Sequence, residues 1–253
     1  MHYSAEQSLK AFLLKYGGND KHVIDLGGAD LNGSVRKMIT DYNMKYTCVD
    51  IEKNDNVDIV VKPGEKLPFH DESIDLIIST SCFEHDPCFW LTFKEFTRLI
   101  KKDGYIYVNV PSIGDYHVCP GDNWRFYSDA GQALAYWSGI QMGNETVFPV
   151  KIEETFHIDG LYSNYQKSVN KYGQTEIRTN HQWDDFICVW KRTDIKETEI
   201  TVSDHIRSYI GPIEKILNDH NIRTKPFITP ILGLTNEDIE KRFPLTCKKY
   251  YNK

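Results

Sequence analysis

The run Val23-Ile24-Asp25-Leu26-Gly27-Gly28-Ala29-Asp30-Leu31-Asn32-Gly33-Ser34 constrains the fold more than any other stretch of the chain. β-Branched residues, then an acid, then small residues describe a strand feeding a tight turn, where missing side chains let a ligand approach the backbone. Such a turn commonly serves a nucleotide-like molecule. A strand-to-helix turn also needs glycine when nothing binds, and this run has no strict G-x-G-x-x-G. Its surroundings have to decide.

Upstream, Ser4 with Gln7 reads as a capping box, and Leu9, Phe12, Leu13 and Tyr16 recur at helical spacing until Gly17-Gly18, expected as a left-handed stop. Downstream, Val35, Met38, Ile39 and Tyr42 predict a second helix, and Tyr46 to Asp50 a second strand ending in an acid. Strand, glycine turn, helix, strand is the beginning of a parallel doubly wound α/β sheet. Val57 to Val61 predicts a third strand and the apolar run Ser73 to Ser79 a buried fourth. Asp86 as cap and Pro87 at the first helical position open a helix with Phe89, Phe93, Phe96 and Ile100 on one face and Lys101 and Lys102 at its negative end. Gly104 then turns the chain into Tyr105 to Val110, a fifth strand stopped by Pro111. Ser128 is expected to cap a helix with Ala130, Leu134 and Trp137 inward, and 145–152 and Asp185 to Lys191 supply two more strands. The fold class is a Rossmann-like, seven-stranded, mostly parallel sheet with helices on both faces.

With 253 residues the chain suits one core domain with additions. A net charge of −6 provides no basic stripe, which argues against a dedicated nucleic-acid partner and favours a small molecule. Six scattered cysteines suggest reduced thiols in a cytoplasm, not a disulfide framework. No apolar run has the length of a membrane span, and Met1-His2-Tyr3-Ser4 has no signal-peptide pattern, so a cytoplasmic location is expected.

Asp50 stands 23 residues after Gly27, where an open α/β sheet places a carboxylate against a ribose diol. A solvated loop acid is the alternative, but Asp50 terminates an apolar strand in the unit that requires it.

The order Asp25-x-Gly27-x-Ala29, the acid at 50, Leu67-Pro68-Phe69-x-x-Glu72-Ser73-Ile74-Asp75-Leu76-Ile77 and Ser81-x-x-Glu84-His85 resembles the class I S-adenosylmethionine-dependent methyltransferases, type 11-like, over about residues 20 to 140. The resemblance implies an antiparallel last strand and S-adenosylmethionine as cofactor. It also implies that Asp25 orients the turn or the donor's amino group, and that backbone from Gly27 through Gly28 to Ala29 meets the methionine part. Asp50 would hold the ribose, Ile51 flank adenine, and Ser81 line the same cleft. The family's acid for the adenine amino group falls at Pro63 here, so that contact is expected from backbone near Gly64 and Glu65. Trp124-Arg125-Phe126 before a short helix is similar to methyltransferases of surface-glycan and capsule loci. A small-molecule or glycan-linked acceptor in surface polysaccharide biosynthesis follows from that likeness, a phosphoramidate decoration included.

Methyl transfer from a sulfonium to a hydroxyl is an in-line displacement that needs alignment and removal of a proton. His85, after the fourth strand, and His117, in the loop after the fifth, are the candidate bases. Asp115, Tyr116, Asp122, Trp124 and Arg125 are the candidate acceptor residues, through aromatic stacking and a guanidinium grip. Asp115, His117 and Asp122 have the chemistry to hold a divalent ion, yet an ordered polar loop is the preferred reading. Cys82-x-x-His85-x-x-Cys88 lacks a fourth ligand at zinc-site spacing, so no metal is assigned.

An NAD-dependent oxidoreductase would want glycines at 27, 29 and 32, whereas the chain has Gly27, Ala29 and Asn32. The (Asp/Asn)-Pro-Pro-aromatic turn of amino-methylating nucleic-acid enzymes is replaced by Ser79-Thr80-Ser81-Cys82-Phe83. A non-catalytic donor-binding protein is the remaining alternative. The expected organisation is a catalytic domain over 1–193, with 153–182 as an inserted acceptor lid, and a helical extension over 194–253. That extension has three candidate roles: lid, homodimer contact or packing.

Overall fold

The computed structural model describes residues 3–29, 34–117, 120–142, 145–159, 167–169, 175–177, 184–196 and 224–226. Helix α1 (Tyr3–Tyr16) leads into β1 (His22–Leu26), followed by α2 (Arg36–Asp41), β2 (Lys45–Asp50), β3 (Ile59–Val60) and β4 (Ile74–Thr80). Helix α3 (Phe89–Leu99), β5 (Ile100–Ile113) and α4 (Ala130–Trp137) come next. Strands β6 (Ile140–Met142), β7 (Glu145–Asp159), β8 (Lys167–Val169), β9 (Thr175–Ile177), β10 (Asp184–Lys196) and β11 (Thr224–Pro226) complete the described chain.

The main sheet has the order β11-β7-β10-β5-β4-β1-β2-β3, with β6 on β7, and β8 pairs with β9 separately. β1, β2, β3, β4 and β5 are mutually parallel, whereas β10 runs antiparallel to both β5 and β7. The expected seven strands are therefore present as β3-β2-β1-β4-β5-β10-β7, and β6 and β11 add to them at β7.

Side-chain alternation divides the core between the two faces. Val23, Leu76, Ile78, Tyr107, Ile187 and Val189 pack with Leu9, Phe12 and Leu13 of α1 and Ile39 of α2. Ile24, Ile77, Ile106, Val108, Cys188 and Trp190 pack with Phe93, Phe96 and Leu99 of α3 and Leu134 of α4. Burying an apolar stripe of a helix on each face is what makes the parallel centre stable, since neither face can meet water. At one point the second face is too tight for any side chain: a Cβ on Gly131 would lie 2.6 Å from Cys188 Sγ. There the Trp190 indole N–H reaches the Gly131 carbonyl at 2.9 Å and ties α4 to β10.

Several local expectations are corrected. Neither Gly17 nor Gly18 has a positive φ; α1 ends with the Gly17 N–H on the Leu13 carbonyl, and Asp20 takes the left-handed conformation. α3 begins at Phe89, two residues after Pro87, because Asp86 accepts from the Cys88 N–H and the Thr92 hydroxyl and so caps the preceding turn. Lys101 does not serve the helix end but pairs with Asp75 at 2.9 Å. Pro111 does not stop β5, which continues to Ile113 against β10. It lies past the last pair with β4, Thr80 with Asn109, so its missing N–H breaks no parallel ladder bond. Trp137 is 51% exposed, not inward.

β7 runs through Asp159, so the first residues of 153–182 belong to the sheet. The chain also returns to the sheet beyond 194, with Thr224–Pro226 as an edge strand on β7; an edge is where proline is tolerated. The helix expected around Ile206 to Ile213, and Tyr162, Tyr165, Tyr172, His181 and Trp183, lie outside the described residues. No helix among the described residues is long and apolar enough to cross a membrane.

Candidate active site

The candidate residues gather where the carboxyl ends of β1, β2, β4 and β5 meet, on both sides of the β1/β4 junction from which the chain winds in opposite directions. After β1, Gly27 has φ +84°, a conformation that glycine alone adopts without strain. A Cβ there would stand 2.5 Å from Cys82 Sγ, so the turn after β1 and the turn after β4 touch. A Cβ on Gly28 would lie 2.5 Å from Asp25 Oδ2.

Asp25 thus sits beneath the turn. It is buried and accepts the Tyr46 hydroxyl at 2.7 Å. Burial pushes its carboxyl up to about 6, the Tyr46 bond opposing and the nearby Asp50 charge adding. The turn's own donors at 27 and 29 are engaged within the protein: the Gly27 N–H goes to the Val49 carbonyl at 2.9 Å, and the Ala29 N–H to Asp50 Oδ2 at 3.1 Å. The expected approach of a ligand to backbone at Gly27 and Ala29 is therefore not through these two N–H groups. Asn56 and Asn54 hold the Gly28 and Ala29 carbonyls from the loop after β2. Sequence reading missed both asparagines, which look like ordinary turn residues. Asp30 to Gly33 lie outside the described residues.

Asp50 is partly exposed at the end of β2, where Oδ1 accepts the Glu52 N–H at 3.0 Å. A carboxylate with one N–H on each oxygen keeps lone pairs for two further donors, as a ribose diol requires. The neighbouring Ile51 is 45% exposed and offers an apolar face beside that position. Gly64, with φ +74°, is on an open turn, and the Glu65 carboxylate folds back to accept the Lys62 N–H at 3.0 Å. Ser81 also has a positive φ, and its N–H is held by the Asn109 carbonyl at 2.8 Å.

On the β5 side, the loop 114–125 is pinned by Arg125. Its five N–H groups reach the Gly114, Asp115 and Trp124 carbonyls and both oxygens of Asp122. The guanidinium expected to grip an acceptor is thus used to build the loop. The same bonds hold the Asp122 carboxyl down at about 2. Tyr116 and Trp124 do present aromatic surface, at 74% and 37% exposure, and Trp124 packs edge-on against Phe89 and Trp90.

His85 and His117, far apart in sequence, meet here with ring centroids 4.9 Å apart. Beside them is Glu84, which sequence reading had passed over as half of a motif: its side chain is 1% exposed, Oε1 is 3.7 Å from His85 Nε2, and Oε2 has no hydrogen-bond partner among the described residues. Burial pushes its carboxyl up to about 8, with Asp185 and Asp122 adding and Arg125 opposing. One donor atom from each of Glu84, His85 and His117 lies within 4.8 Å of the others. Asp115, His117 and Asp122 form the ordered polar loop preferred from the sequence, with Asp122 committed to Arg125 and to the His117 N–H. Outside this cluster, His157 meets Ser128 at 3.1 Å and is not part of it.

Comparison with known proteins finds likeness in one stretch of sequence and in the fold. Residues 24–108 match the family described as methyltransferase domain. The matched stretch runs from β1 into β5, about a third of the chain, and the whole sheet has the Rossmann-like fold of class I methyltransferases.

Among solved structures, a SAM-dependent methyltransferase from Archaeoglobus fulgidus is similar at 16% identity and a TM-score of 0.51, over 73% of this chain and 93% of the other. The YcgJ protein of Bacillus subtilis is similar at 15% identity and a TM-score of 0.50, over 75% of this chain and 100% of the other. The 1,6-didemethyltoxoflavin-N1-methyltransferase of Burkholderia thailandensis, solved with S-adenosylhomocysteine, is similar at 13% identity and a TM-score of 0.51, over 76% and 80%. No curated protein matches the sequence.

Proposed function

We propose that the protein is an S-adenosylmethionine-dependent O-methyltransferase acting on a small molecule or a glycan-linked group. The observation that carries the donor half is Asp50. Its carboxylate ends β2, crosses to the Ala29 N–H of the glycine turn, and keeps acceptor capacity toward solvent. The match of residues 24–108 to the methyltransferase domain supports the same reading.

When bound, S-adenosylmethionine supplies an electrophilic methyl on a sulfonium. The chain's part is to hold, align and deprotonate. Asp50 accepts from the ribose diol, Ile51 covers one face of the base, and Gly27 keeps the turn free of side-chain bulk. Asp25 supports that turn from below. The acceptor approaches from the loop 114–125, with Tyr116 and Trp124 as its stacking surface, and its proton leaves at the cluster of Glu84, His85 and His117. Exposed aromatic faces beside ionisable groups suit a sugar or sugar-linked hydroxyl. A role in surface polysaccharide or capsule biosynthesis, with a phosphoramidate-bearing acceptor as one form, rests on the likeness of Trp124-Arg125-Phe126 to methyltransferases of such loci.

Calorimetry with S-adenosylhomocysteine tests the donor half. Binding to the wild type and a loss of about tenfold or more in Asp50→Ala is expected, since removing one charge-assisted pair costs about 1.5–3 kcal/mol. Absence of binding, or equal binding by the variant, would sink the proposal. Binding without methyl transfer to any hydroxyl acceptor would instead make the chain a donor-binding protein.

A further inference from the structure

We propose that Glu84, His85 and His117 form a binding site for one divalent transition-metal cation, zinc being the ion their donor set fits best. Two imidazoles and a carboxylate are a ligand set of catalytic zinc sites, which leave a further position open to substrate or water.

The tautomers are already set for it. His85 Nδ1 faces the Gly121 carbonyl. A carbonyl only accepts, so Nδ1 carries the hydrogen and Nε2 the lone pair. His117 Nδ1 faces two acceptors, the Asp115 carbonyl at 3.2 Å and Asp122 Oδ2 at 3.4 Å, and is fixed the same way. An imidazole whose Nδ1–H is turned to a carbonyl or carboxylate is how metal-ligating histidines are oriented, and the outer oxygen makes the ligating nitrogen more basic. Both histidines of the cluster have that arrangement.

Glu84 gives the independent indication. Its side chain is buried, its Oε2 has no partner among the described residues, and its Oε1 faces the lone-pair nitrogen of His85 at 3.7 Å. In its carboxylate form Glu84 faces the His85 lone pair acceptor to acceptor, across a gap too wide for a hydrogen bond, and a cation that takes the place of the carboxyl proton resolves that relation. One possible ligand atom from each of the three residues stands within 4.8 Å of the others. Zinc bonds of about 2.0–2.2 Å at tetrahedral angles ask for donors near 3.3 Å apart, which side-chain rotation supplies. Sequence spacing hides the site, because its third ligand comes from another loop.

The role of the ion rests on the O-methyltransferase reading above. A cation at the open position would hold the acceptor's hydroxyl oxygen and lower its pKa. The hydroxyl proton passes to solvent, the O–CH3 bond forms as the S–CH3 bond breaks, and the electron pair of the broken bond stays on sulfur as a neutral thioether. The histidines then serve the acceptor through the ion.

The test uses the full chain, stripped with a chelator and titrated with Zn2+ against a chromophoric indicator; Co2+ is added separately to read its visible bands. One Zn2+ per chain is expected, with four- or five-coordinate Co2+ bands. His117→Ala and Glu84→Gln should each weaken Zn2+ by about 100-fold or more, beyond the roughly 10–100-fold of an outer-shell change. Failure of the wild type to bind stoichiometric Zn2+, or equal binding by the variants, overturns the site. Should Glu84→Gln not fold, His117→Ala, at a half-exposed loop position, decides alone. S-adenosylhomocysteine calorimetry on the same samples separates the two readings. Zinc binding without donor binding upholds the site and removes its role in methyl transfer; donor binding without zinc removes the site and leaves the methyltransferase.

Discussion

Asp25 is the residue on which a pH effect turns. Its carboxyl titrates near 3.8 in an ordinary setting and about 6 in the fold, because burial disfavours the charge. The unfolded chain therefore loses this proton first as pH rises, and stability falls between about pH 4 and 6 and is level above. The gap of about two units corresponds to roughly 3 kcal/mol at most. Asp25→Asn keeps an acceptor for Tyr46 and removes the titration. Urea unfolding at pH 4.5, 6 and 8 should show wild-type stability declining relative to the variant between pH 4.5 and 6 and staying nearly level from there to 8. Parallel curves would mean the carboxyl is not desolvated as its burial implies.

Gly131 and Trp190 decide how α4 is seated. Gly131→Ala forces a methyl against Cys188 Sγ, where 2.6 Å separates the positions, and displaces the carbonyl that takes the Trp190 N–H. A loss of about 1–3 kcal/mol is expected, as for other overpacked sites. Because the obstacle is one sulfur, Cys188→Ala should recover part of it, and a double-mutant cycle by denaturant unfolding should give a favourable coupling. Additive losses would place the strain elsewhere.

The same elements show what sequence could and could not convey. β1, β2 and β4 were legible because an apolar run ending in an acid or a turn has few other uses, and Asp50 was legible because its strand was. Asn54, Asn56 and Glu84 were not, since their value comes from carbonyls and rings brought in by other loops. Trp137 was misread because a large apolar side chain on a short helix carries no signal of which neighbour will cover it. Arg125 was read as a ligand grip because residue type alone does not reveal how many of its donors the chain itself consumes. β6 and β11, short and at the margin, owe their state to pairing with β7 and leave no pattern of their own.

At the scale of the molecule, β11 closes the edge of the sheet with a segment far along the chain. Thr224, Lys225 and Pro226 lie against Ile158, His157 and Phe156 of β7. Truncation after Lys196 should bare that edge, and the β7 amides that face β11 should exchange with deuterium faster while those facing β10 remain protected. Unchanged protection along 156–158 would show that the pairing contributes nothing to closing the sheet.

Apart from the His85 ring, which meets the Gly121 carbonyl, the loop over the acceptor side is attached to the turn after β4 through that turn's main-chain oxygens. The Asn123 and Trp124 N–H groups take the Glu84 carbonyl, the Asn123 amide takes that of His85, and the Trp124 indole takes that of Asp86. A carbonyl is the same whatever side chain its residue bears. Most of the seat of this loop can therefore be inherited unchanged while the side chains at 84 and 86 drift, and a whole loop from a relative can be grafted onto it if it brings an amide at 123 and an indole at 124. Such a fixed mount for an exchangeable surface is a route by which one donor half could be fitted to many acceptors.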